Sequence, residues 1–127
     1  MKRWMMKRLI AWKNDAHRKP LILDGARQTG KSWLVKELGR TQFESMAYVS
    51  LENNEAMDQL FSGSLRPERL IAGIALASRT RIEPGKTLIV LDEVQAIPRA
   101  VAALKYFAEE ACEYALIATG SSLGKIG

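Results

Sequence analysis

The sequence predicts an α/β fold in three layers, a parallel sheet with helices on both faces. Three observations predict it. Gly25-Ala26-Arg27-Gln28-Thr29-Gly30-Lys31-Ser32 fits G-x-x-x-x-G-K-[ST] and lies between the apolar run Leu21-Ile22-Leu23 and a helical pattern. Thr87-Leu88-Ile89-Val90-Leu91 is a continuous apolar run that ends in two carboxylates, Asp92 and Glu93, as suits a parallel strand covered on both faces. Strand-like and helix-like segments alternate along the chain, which implies right-handed β/α units.

The first motif is a phosphate-binding loop, and each residue type in it has a physical task. Gly25 and Gly30 permit backbone conformations and a close phosphate approach that a Cβ would block. The N–H groups from about Gln28 to Ser32 form an anion-binding nest, aided by the positive end of the following helix. Lys31 supplies a point charge for β- and γ-phosphates, and the Ser32 hydroxyl is a ligand for Mg²⁺. The binding set is therefore Gly25, Arg27, Gln28, Thr29, Gly30, Lys31, Ser32 and Trp33, in a fold of the three-layer P-loop NTPase kind.

Bulk composition narrows the class. The 127 residues make one domain, long enough to bury about two thirds of its extended surface. The single cysteine, Cys112, excludes an internal disulfide framework and suits a reducing cytoplasm. No apolar run approaches a membrane span, and His17, the only histidine, has no metal-ligand cluster around it. The net charge of +5 divides unevenly. Residues 1–19 hold seven basic side chains against Asp15, while the rest of the chain holds 12 basic and 13 acidic residues.

That basic arm reads as an amphipathic helix distinct from the core at 20–127, with Met5, Leu9, Trp12 and Ala16 at helical spacing. Lys7 and Arg8 break up what would be a signal-peptide core. Three roles remain open for it: a helix laid on the domain with a solvated basic face, a contact for nucleic-acid phosphates, or a membrane-surface helix.

Lys19-Pro20 ends the arm and the first strand covers 21–23. The helix from Lys31 to Leu38 is expected to stop at Gly39, a natural C-terminal cap. Residues 45–51 make a second strand whose tyrosine and serines suit a sheet edge. Asn54 caps a short helix with Ala56, Met57, Leu60 and Phe61 inward. Pro67 opens another, with Leu70, Ile71, Ile74 and Ala77 inward, until Pro84-Gly85 turns the chain. Pro98 opens a long helix with Val101, Leu104, Phe107, Ala108 and Ala111 on one side, and 114–118 is the last strand.

Ligands of such sheets bind at the carboxyl ends of the strands, where the loop, the acidic pair and Thr119-Gly120-Ser121-Ser122 all fall. The 88–92 segment reads as a Walker B strand. Asp92 would hold Mg²⁺ opposite Ser32, and Glu93 would take a proton from a water attacking the γ-phosphate. A hydroxyl after the last strand would touch the γ-phosphate or that water; Ser121 is the first choice and Thr119 the second.

Gly-Ala-Arg-Gln-Thr-Gly-Lys-Ser (25–32), Pro-Gly-Lys-Thr-Leu (84–88), Leu-Asp-Glu-Val-Gln (91–95), Leu-Lys-Tyr-Phe (104–107) and Gly-Ser-Ser-Leu-Gly (120–124) follow in order. Together they resemble prokaryotic AAA-family ATPases that carry a C-terminal nuclease-like domain of unknown function. The resemblance implies ATP, Mg²⁺, a sheet ordered 5-1-4-3-2, Asp92 as the Walker B acid and Glu93 as catalytic base. It departs at Ser122, where leucine is usual, and at Gly127, beyond which such relatives continue. On that comparison the chain lacks the fifth strand, the adenine lid, the nucleotide-sensing arginine and the C-terminal domain. The first strand would then have an open edge and turnover would be slow. The expected activity is ATP hydrolysis, coupled to a missing domain or a homo-oligomer. The alternatives are a module that holds nucleotide without turnover and a small P-loop kinase.

Overall fold

A computed structural model of the chain describes residues 2–24 and 31–120. The elements are α1 (Lys2–Lys13), β1 (Leu21–Asp24), α2 (Lys31–Gln42), β2 (Ser45–Ser50), α3 (Glu55–Ser62), α4 (Pro67–Ser78), β3 (Thr87–Asp92), a 3₁₀ turn (Val94–Ala96), α5 (Pro98–Glu110) and β4 (Ala115–Gly120). The four strands form one parallel sheet in the order β1-β4-β3-β2. This is the predicted α/β architecture, and the order is that of the four matching strands in the implied 5-1-4-3-2 sheet. Among the described residues no fifth strand lies beside β1, where Ile22 is half-exposed.

Alternation along the strands assigns each side chain to a layer, because successive residues point to opposite faces. Leu88, Val90, Ala115 and Ile117 join Leu34, Val35 and Leu38 of α2 and Leu9 of α1 in one core cluster. Ile89, Leu91, Leu116, Ala118, Ala47 and Val49 face α3, α4 and α5, where they meet Phe61, Leu70, Ile74 and Phe107. All six residues of β4 and the first five of β3 are buried, as expected for central strands covered on both sides. β2 is the other edge of the sheet, as its mixed composition predicts.

The helix boundaries follow local chemistry. The Asn54 side chain accepts from the Met57 N–H at 3.1 Å and starts α3. Pro67 and Pro98 open α4 and α5 at first-turn positions that need no N–H donor.

Three expectations change. Gly39 does not end α2, which runs through it to Gln42; a Cβ there would lie 2.6 Å from Met46 Sδ. The glycine lets the helix cross closely over β2. The first helix stops at Lys13, and Trp12 Nε1 donates to Lys19 O at 2.7 Å across the turn that follows, which leaves Ala16 exposed. Ala56 and Ala77 also face solvent, since Met57, Phe61, Leu70 and Ile74 already fill the contact with the sheet.

Phe107→Ala, which empties a site between α5 and the sheet, is expected to cost about 3–5 kcal/mol in urea unfolding. Leu76→Ala, at a side chain 82% exposed, is expected to cost under about 0.5 kcal/mol in the same measurement.

Candidate functional site at the carboxyl ends of the strands

All four strands run the same way, so β1, β3 and β4 end at one edge of the sheet. Asp24 pairs with Gly120 there, one residue before the glycine motif begins. Gly25, Arg27, Gln28, Thr29, Gly30 and Ser121 lie outside the described residues, as does the Lys31 side chain. Lys31 is the first residue of α2, so Ser32 sits in the first turn of a helix that starts at the same edge. Trp33, next along, is half-exposed.

Asp92 ends β3 with the parity of Leu88 and Val90, the face covered by α2. Both of its oxygens are held. Tyr48 Oη donates to Oδ2 at 2.8 Å; Thr119 Oγ1 donates to Oδ1 at 2.5 Å and the Glu93 N–H donates to Oδ1 at 3.1 Å. Charge-assisted bonds of this kind are stronger than neutral ones. The two hydroxyl donors come from the strands on either side of β3, so the sheet order itself delivers them.

Tyr48 has a second set of contacts. Ser32 lies near enough to its hydroxyl to act on it, and Lys36 Nζ sits over its ring at 5.2 Å from the centroid. Ser32 and Lys36 are one helical turn apart and so share a face of α2. Burial pushes the phenol above its ordinary value near 10. The hydrogen bond to Asp92 and the charges of Asp92 and Glu93 push the same way, against a pull from Ser32. The hydroxyl therefore remains a donor at every ordinary pH. It stands between the Ser32 side of the site and the Asp92 side.

Glu93 leaves the strand geometry altogether. Its φ of 53° and ψ of 50° are left-handed, and it is only 7% exposed. For a residue with a Cβ this conformation costs about 1–3 kcal/mol, and such strain gathers at functional sites. Gln95, on the 3₁₀ turn, donates from Nε2 to Glu93 Oε1 at 2.9 Å. The Gln95 Oε1 is buried with no hydrogen-bond partner among the described residues.

Of the predicted site residues, the structure brings together Ser32, Asp92 and Glu93. Thr119, the second choice for a hydroxyl at the phosphate, is buried and donates to Asp92. Sequence reasoning missed Tyr48 and left Gln95 without a role. The available signal for Tyr48 was a polar-tipped aromatic in a strand of mixed composition that suits a sheet edge.

Among the described residues no three histidine, cysteine or carboxylate side chains gather as a metal cluster. One carboxylate and one hydroxyl, both hard oxygen donors, nevertheless fit Mg²⁺, which takes few protein ligands and fills its shell with phosphates and water.

A family model described as an AAA domain matches residues 17–126. The chain belongs to the AAA family. Among curated proteins, none matches the sequence. Among solved structures the AAA chain is similar to C. elegans PCH-2, with 15% identity and a TM-score of 0.53, over 94% of this chain and 36% of that one. The likeness concerns the fold, and the chain spans about a third of that structure's length. As an AAA domain it is a nucleotide-binding P-loop module.

Thr119→Val keeps the shape and removes one donor from Asp92. It is expected to lower stability by about 1.5–3 kcal/mol in urea unfolding, with Asp92→Asn,Thr119→Val losing less than the sum of the two single changes.

Proposed function

We propose that this AAA-family chain binds ATP with Mg²⁺ and hydrolyses it to ADP and phosphate. The observation that carries the reading is the end of β3, where Asp92 is pinned on the face of α2 that begins with Lys31-Ser32 and stands beside a strained, buried Glu93. Residues Gly25, Arg27, Gln28, Thr29 and Gly30 would enclose the phosphates with their N–H groups, Lys31 would pair with the β- and γ-phosphates, and Trp33 would flank the loop. Ser32 and Asp92 would hold the metal. Mg²⁺, when bound, neutralises charge on the β- and γ-oxygens. Glu93 would orient a water in line with the γ-phosphorus and accept its proton, and Ser121 would hydrogen-bond that water or the γ-phosphate. The arginine that stabilises the transferring phosphoryl group would come from a second copy of the chain or from a C-terminal domain. The single thiol, the half-buried Cys112, supports a reducing cytoplasm as the setting.

A second reading, nucleotide held without turnover, is favoured by one contact. The Gln95 amide occupies Glu93 Oε1, which leaves that oxygen less free to take a proton from a water. Calorimetric titration of Mg·ATP separates binding from chemistry. Wild type should bind and Lys31→Ala should give no heat; equal silence from both removes the nucleotide reading. Glu93→Gln should keep its affinity within about threefold and lose about 10²–10⁴ in phosphate release. Phosphate release at the same rate in Glu93→Gln as in wild type would reject Glu93 as the base.

The arm also supports a contact with nucleic-acid phosphates. Leu9 is buried against the domain, but Arg3, Lys7 and Arg8 are exposed, and the Arg8 guanidinium lies 5.1 Å from the ring centroid of Trp4, which is 56% exposed. No helix of the described residues is long and apolar enough to cross a membrane. If α1 tracks phosphates, neutralising Lys7 and Arg8 should flatten the slope of log affinity against log salt by about 1.4–1.8, measured with a short DNA. An unchanged slope would assign the basic face to solvent.

A further inference from the structure

We propose that Tyr48 is the positioning residue of the metal site: its hydroxyl, donated to Asp92, fixes the carboxylate in the orientation that Mg²⁺ binding needs. The inference rests on the reading that Mg·ATP is held between Ser32 and Asp92, and adds to it a residue from a strand that carries no part of either sequence motif.

The argument begins with how many bonds Asp92 can accept. An ionised carboxylate offers about four lone-pair sites, two on each oxygen. Thr119 and the Glu93 N–H take both sites of Oδ1, and Tyr48 takes one of Oδ2. The remaining site is on Oδ2, the oxygen that Tyr48 holds. Without the phenol the carboxylate would keep its Oδ1 anchors but lose the bond that fixes its rotation about them.

The ring is placed for this task by packing on both sides of it. Tyr48 pairs with Val90 in the β2–β3 ladder, so Asp92 lies two residues further along the same face. A diagonal neighbour of this kind is reached only by a long side chain. Lys36 over the ring and Ser32 at the hydroxyl fix it from α2. A tyrosine kept for packing alone would need only its ring. Here the hydroxyl donates to a side chain assigned to the metal rather than to a backbone group. Groups that orient a metal ligand are typically worth about 10- to 100-fold in metal affinity.

The test uses Tyr48→Phe, which retains the ring and its contact with Lys36. ATP affinity is measured by titration calorimetry with excess EDTA and then across a series of Mg²⁺ concentrations, with thermal melts run alongside. The expected result is an EDTA affinity within about twofold of wild type and a Mg²⁺ requirement for tight ATP binding raised about 10- to 100-fold. An equal or lower Mg²⁺ requirement in the folded variant overturns the proposal and leaves the nucleotide reading intact. Absence of any Mg²⁺-dependent gain in wild type overturns both. A measurement on wild type covers the case in which Tyr48→Phe fails to fold. With ring-labelled tyrosine, Mn²⁺ and ATP together should broaden the Tyr48 signals before those of Tyr106 and Tyr114. Tyr48 signals that stay sharp at saturation overturn the assignment.

Discussion

A negative charge at the end of a dry strand is the constraint on which this structure depends. β3 is buried along five of its six residues, and Asp92 emerges from it where solvent reaches only in part. A carboxylate in that place must recover by hydrogen bonding what it loses in hydration. It does so with donors from β2, from β4 and from its own chain's next N–H. The first two would be out of reach under another strand order. With β4 on one side and β2 on the other, Thr119 and Tyr48 arrive from opposite directions, and the two long crossovers through α4 and α5 exist to make those neighbours parallel.

Parity decides the rest. Asp92 shares a face with Leu88 and Val90, and therefore with α2, whose first turn holds Ser32. A shift of one residue would turn the carboxylate toward α3, α4 and α5 and into an apolar cluster. Glu93, next in line, would by alternation have pointed into that cluster. The left-handed backbone at Glu93 breaks the alternation and leads into the 3₁₀ turn, where Gln95 meets its carboxylate. The strain at Glu93 is thus the local cost of setting its buried carboxylate beside the Gln95 amide rather than among apolar side chains.

Much of the fold was legible because its signals are local. The apolar runs of β3 and β4, the prolines that open α4 and α5 and the asparagine that caps α3 each carry their meaning within a few residues. So do the two motifs, which is why the placement of Ser32, Asp92 and Glu93 at the ends of their elements could be read without a structure. Gly39 shows the limit. A glycine after a helical pattern serves equally as a cap or as a gap for a neighbour, and only the Met46 side chain across the sheet distinguishes them. The bond from Thr119 to Asp92 was hidden for a similar reason, since the two residues are 27 positions apart and only the strand register brings them together.

Tyr48 was illegible for a deeper reason. Its partners lie 16 and 44 positions away in sequence, and no spacing rule links them. The sheet nevertheless restricts where such a residue can stand. β3 and β4 are covered on both faces, and a phenol in the middle of either would bury its hydroxyl among apolar side chains at a cost of a few kcal/mol. At an edge strand the ring can be half-buried, with its tip directed along the sheet toward the polar rim. β1 is also an edge, but β4 separates it from β3. β2 alone combines an open flank with direct pairing to the strand that ends in Asp92. The edge position that makes a strand vulnerable to mispairing is here what allows it to hold a polar group beside the site.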